Sequence, residues 1–202
     1  MPILEEAARR FGAQMTIEPH AFELRPEPVP LPERRGEYIL EHWTNRVYPM
    51  AEERGLVMRL PPLQTRSRRA HEVAAFARAE GQLPAVDTGL YHAFFEHGRD
   101  INDVAVLEDV VREAGLEPAA MRRALESGAF ADAVRADLQL AGTLGVRSVP
   151  TMLVGETLDD VEPVIGAVPY EWLAGAIDRA LFGDRTHARL RRRMVPQLRV
   201  IE

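Results

Sequence analysis

The sequence predicts an α/β fold in which a long helical block interrupts a small mixed sheet. Three observations predict it. Apolar residues recur at helical spacing almost without a break from about residue 34 to residue 144. After Gly145 the pattern changes to short apolar runs of strand length, and one further strand-like stretch precedes the helical block. With 202 residues, 46% of them hydrophobic and 28% charged, the chain can bury one core and carry an insertion.

Taken in order, residues 3–11 set Ile3, Leu4, Ala7, Ala8 and Phe11 at helical spacing, and Gly12 can stop that helix. Residues 14–24, with Met15, Ile17, Phe22 and Leu24, read as a strand bent at Pro19. Residues 25–32 hold four prolines and must be an extended linker. The helical block opens with Tyr38, Ile39, His42, Trp43 and Arg46 and continues through residues 50–55. A helix over 66–79 turns Ala70, Val73, Ala74 and Ala77 inward. The next, over 86–97, carries Tyr91, Phe94 and Phe95, which read as core rather than as a ligand cage. Helices over 103–114 and 118–127 are bounded by turn or cap chemistry, Asn102-Asp103 before the first and Gly115-Leu-Glu-Pro before the second, and one over 130–144 ends at Gly145. Residues 151–154 and 162–167 then read as strands joined by a turn at Gly155-Glu156. Residues 170–182 read as an amphipathic helix bearing Trp172, Leu173, Ile177, Ala180 and Leu181.

Composition excludes several functions. The net charge of -6 opposes general nucleic-acid binding, which needs a positive field. The arginine run over 185–193 is a local exception and reads as a solvated tail. Mean hydropathy is -0.20 and no apolar stretch has the roughly 20 residues of a membrane span. Charged residues among the first dozen do not form a secretory signal, so the expectation is a cytoplasmic protein without membrane contact. Zero cysteine removes disulfides, thiolate nucleophiles, CxxC redox pairs and cysteine-ligated zinc together. The six histidines show no metal-ligand spacing; His92 and His97, five apart, do not stack on one helix face, and His20 reads as structural. No GxSxG elbow occurs, and Ser67, Ser127 and Ser148 read as cap or loop residues.

One heptapeptide stands apart: Gly145-Val-Arg-Ser-Val-Pro-Thr151. A helix ends, the chain turns, and Pro150 sits before a buried strand, where an X–Pro bond can be held in cis at small cost. A trans proline at the first residue of a strand is the alternative. The segment resembles the cis-proline loop of thioredoxin-fold proteins. Its flanks resemble the DsbA family, in the branch with FrnE-type proteins and 2-hydroxychromene-2-carboxylate isomerases. They are HAFEL with its prolines, YHAFFEHGRDIND, and the run from Glu113 through Gly145-Val146. The resemblance covers about residues 3–182. It implies a thioredoxin-like domain formed by 1–33 and 145–183, an inserted helical subdomain over 34–144, and a basic C-terminal tail over 184–202.

The resemblance also implies a strand and an active-site motif, CxxC or a relative of it, ahead of the first helix. This chain starts at Met1-Pro2 where that helix is already under way, so the N-terminal strand is expected to be missing. Three explanations stand: a true start upstream, a real loss, or another segment that fills the gap. Residues 195–202, with Leu198, Val200 and Ile201, could fill it within the chain or by exchange between two copies in a homodimer. A disordered end is the alternative.

By resemblance, Ser148, Val149, Pro150 and Thr151 would bind a thiol or peptide substrate, and no catalytic or metal-ligating residue can be named. The implied activity is thiol–disulfide oxidoreduction, which a cysteine-free chain does not perform. No cofactor is implied for it; a glutathione-dependent isomerase or kappa-type transferase, which would take glutathione, and a non-catalytic binding module are the alternatives.

Overall fold

A computed structural model describes residues 2–33, 36–62, 64–183 and 198–201, the last four by their backbone. The arginine run over 185–193 lies outside the described residues. The chain divides into two compact units: a sheet unit of Met1–His20 with Ala141–Glu202, and a helical unit of Ala21–Leu140.

In the sheet unit, helix α1 (Pro2–Phe11) leads through a 3-10 turn at Gly12–Gln14 into β1 (Met15–Glu18). Later come β2 (Thr151–Gly155), β3 (Val161–Ile165), helix α9 (Tyr170–Phe182) and β4 (Leu198–Ile201). The strand order is β1-β4-β2-β3. β4 runs parallel to β1, with Met15 opposite Leu198, and antiparallel to β2, with Leu153 opposite Ile201. Residues 198–201 thus supply a strand with a neighbour on each side. β3 lies on the sheet edge, where Pro163 can sit because the edge does not need its missing N–H.

The core of this unit follows the two periods of its elements. Leu4, Ala7 and Phe11 form one stripe of α1, and Leu173, Ala176, Ile177 and Leu181 one stripe of α9. Both pack with Met152, Val154 and Val164, which share one face because Met152 pairs with Val164. Fully burying each such side chain is worth about 1.5–3 kcal/mol. The tight β2–β3 turn requires Gly155, because a Cβ there would come 2.1 Å from the Asp160 carbonyl oxygen. Trp172 departs from the amphipathic reading of α9: it is 66% exposed.

The helical unit holds α2 (Glu37–His42), α3 (Tyr48–Glu53), α4 (Arg68–Ala79), α5 (Leu83–Tyr91), α6 (Val104–Glu113) and α7 (Pro118–Ser127); α8 (Ala131–Thr143) starts in it. π-helical turns at Trp43–Val47 and His92–Glu96 follow α2 and α5. Val73, Val86, Leu107, Val111 and Met121 are fully buried among α4 to α7. Gly89 lets α5 approach α6, since a Cβ there would meet Val110 Cγ1 at 2.9 Å. The Asp103 carboxylate accepts from Ala105 N–H and the Glu117 carboxylate from Ala119 N–H, as the cap chemistry predicts. Ser67 precedes α4 but makes no side-chain cap bond.

The strand expected over 14–24 stops at Glu18. Beyond Pro19 the backbone bonds to side chains of the helical unit instead of to a neighbouring strand: Ala21 N–H donates to Asp137, and the carbonyl of Val29 accepts from Arg66 at 2.7 Å.

Candidate functional site

The loop before β2 is built by a helix end and a strand start. Gly145 takes φ 70°, the left-handed conformation that lets α8 end and the chain reverse. The Val149–Pro150 peptide is cis, as is Glu27–Pro28. On one side the loop is fixed: Gly166 N–H donates to the Pro150 carbonyl at 2.8 Å, continuing the β2–β3 ladder. Within it, the Thr151 hydroxyl donates to the Ser148 carbonyl at 2.7 Å, and Thr151 is buried. Val149 is 46% exposed, and neither its N–H nor its carbonyl makes a hydrogen bond among the described residues. Of the four residues singled out by sequence, Pro150 and Thr151 anchor the loop, while Ser148 and Val149 face solvent. The loop carries no sulfur and no carboxylate or imidazole.

In the helical unit a second polar group surrounds residues 21–23. The Arg68 guanidinium reaches the buried Glu23 carboxylate at 2.9 Å, Glu72 at 3.0 Å and the Ala131 carbonyl at 3.2 Å. Burial disfavours the Arg68 cation, but hydrogen bonds to Glu23 and Glu72 outweigh it and raise its pKa. His71 Nε2 lies 3.2 Å from the Phe22 carbonyl, and burial lowers its pKa, so the ring is neutral here. Every member has a partner, which makes this group a clasp on the linker and not a reactive site.

Of the aromatic residues read as core, Tyr91 lies at the surface, while Phe94 and Phe95 are half-buried. Tyr91 is 57% exposed and stacks on Phe95 at 6.1 Å; Phe95 also meets Phe94 at 5.0 Å and Trp43 at 6.1 Å, and Trp43 meets Tyr48 at 5.5 Å. Within the π-helical turn at His92–Glu96, Ala93 is buried while Phe94 and Phe95 are half-buried. The sequence reading also passed over Asp87. It is the only charged side chain between Gln82 and His92, and burial pushes its carboxyl up to about 6. A lone acid beside the fully buried Val86 was the available signal. Among the described residues no three His, Asp or Glu side chains gather as a metal set, and no helix is long and apolar enough to cross a membrane.

With this geometry the comparisons agree. Residues 2–178 match the DSBA-like thioredoxin domain family, and the chain belongs to it. DsbA-like oxidoreductases need no cofactor. The uncharacterized protein YwbO of Bacillus subtilis (strain 168) is 29% identical over 158 residues, covering 76% of this chain and 78% of that protein. The crystal structure of a probable DsbA oxidoreductase from Streptomyces coelicolor superposes with a TM-score of 0.62 at 26% identity, over 85% of this chain and 77% of that one. A candidate protein disulfide isomerase from Nitrosomonas europaea superposes at 0.67 with 17% identity, over 88% and 87%, and this likeness concerns the fold.

Proposed function

We propose that this chain is a DsbA-family protein that binds an extended peptide or thiol-bearing segment without exchanging electrons with it. The observation that carries the reading is Val149, an exposed residue beside an anchored strand; its N–H and carbonyl make no hydrogen bond among the described residues. A segment in β conformation can pair with such groups as one strand pairs with another. The fixed partners of Pro150 and Thr151 hold the loop ready, which reduces the ordering cost of binding. Redox inactivity rests on the absence of any cysteine in the chain. For the same reason nothing in it depends on an oxidising compartment, which suits the cytoplasm.

The test has two arms. In an insulin-reduction assay the chain should give the rate of buffer alone; a rate above that overturns the redox part. Titrating 15N-labelled protein with a neutral eight-residue extended peptide should move the Val149 and Thr151 amide signals, with a millimolar or tighter Kd. Unmoved signals at these positions overturn the binding part. Calorimetry with glutathione should show no heat; saturable binding would favour the isomerase branch instead.

A further inference from the structure

We infer that Asp87, Tyr91 and Phe95 form a docking stripe for a protein segment that presents an arginine or lysine next to an apolar or aromatic residue. The stripe runs along α5 into the π-helical turn at His92–Glu96. Residues four apart share a helix face, so the Asp87 carboxylate lies one turn before Tyr91. The Tyr91 ring stacks on Phe95 at an interplanar angle of 15°, and Trp43 and Tyr48 extend the aromatic surface beyond Phe95.

Two features say what would cover this face. The first is the charge at its end. Asp87 makes no ion pair or hydrogen bond among the described residues, and the Arg78 guanidinium acts on it only from beyond ion-pair distance. A half-buried carboxylate in that state favours any cation that can reach it, because pairing recovers part of the desolvation it has already undergone. The rise of its pKa to about 6 agrees with that deficit. The second is the exposed ring area. Tyr91 at 57% and Tyr48 at 41% offer flat faces for apolar side chains and for the guanidinium plane. Carboxylate and rings on one stripe therefore complement a basic side chain flanked by an apolar one. An acidic segment would instead meet like charge.

The inference is independent of the Val149 reading and has its own test. Two blocked pentapeptides, Gly-Leu-Arg-Phe-Gly and Gly-Leu-Glu-Phe-Gly, are titrated into the full chain at pH 7.5, following Trp and Tyr fluorescence and 15N shifts. The arginine peptide should bind at least fivefold more tightly, with the largest shifts at Asp87 and Tyr91. Asp87→Asn should bring the two peptides within twofold of each other, and Tyr91→Ala should weaken the arginine peptide about threefold. Val149→Pro should leave the preference unchanged. Equal affinity of the wild-type chain for both peptides overturns the inference, as does a preference that survives in Asp87→Asn. Neither outcome touches binding at Val149, which is read from separate amide signals.

Discussion

The two units close their cores in opposite ways. In the helical unit, α4 to α7 follow one another with short turns, and Val73, Val86, Leu107, Val111 and Met121 meet partners from adjacent helices. In the sheet unit, β1 and β2 are held on either side of β4, so residues 15–18 and 151–155 depend on residues 198–201. Local contacts cost little loop entropy to form, whereas this strand must be recruited across nearly the whole sequence. The helical unit is therefore self-sufficient in a way that the sheet unit is not.

The largest expected effect breaks that dependence. Val200→Pro removes an N–H from β4 and sets a ring into a strand with a neighbour on each side, costing about 3 kcal/mol or more. Amide exchange should then speed up throughout β1 and β2 while α4 to α7 keep their protection. Protection lost equally in both units would show that they unfold as one, and the contrast would fall.

What the sequence revealed follows the same division. Periodicity located every helix of the helical unit, because an amphipathic stripe is a local signal, and caps such as Asp103 and Glu117 marked the starts. Strand pairing is not local. The segment 195–202 was legible as a strand from Leu198, Val200 and Ile201, but no local pattern says which strands Leu198–Ile201 pairs with. Pro150 and Thr151 were singled out through the loop motif, and the structure shows them anchoring the start of β2. Asp87 was missed because its meaning lies in burial without a partner, which no spacing rule reports. Tyr91 was grouped with Phe94 and Phe95 as one aromatic cluster, and aromaticity alone does not separate an exposed ring at the end of α5 from half-buried ones after it.

A second, smaller effect sharpens the comparison from the helical side. Burial raises the Asp87 carboxyl from 3.8 to about 6, so the folded state prefers the neutral acid. A raised folded pKa gives stability that is present below the unfolded value and lost as pH rises through the folded one. The helical unit should thus weaken between pH 4 and pH 7 by an amount on the order of 2 kcal/mol from this group. Asp87→Asn should be more stable than wild type at pH 7 and close to it at pH 4, as urea midpoints would show. A variant less stable at pH 7 would mean that the carboxylate is paired, against both this account and the docking stripe.

The smallest effect lies at the edge of the sheet unit. Arg179 on α9 pairs with Glu162 on β3 through two hydrogen bonds, one of 2.9 Å. The bond to Arg179 holds the Glu162 carboxyl below its ordinary range. That depression stabilises the fold above the unfolded value and is lost as pH falls through the folded one. Yet the two side chains are 51% and 43% exposed, so water and salt screen most of the attraction. Arg179→Ala should cost less than about 0.5 kcal/mol at pH 7 and nothing measurable at pH 3. The packing of Leu173, Ile177 and Leu181 over β2 and β3 is what joins α9 to the sheet. A loss above roughly 1.5 kcal/mol at pH 7, where a typical exposed pair gives at most about 1 kcal/mol, would show instead that β3 is held by its charges. The sheet unit would then have a second non-local dependence besides β4.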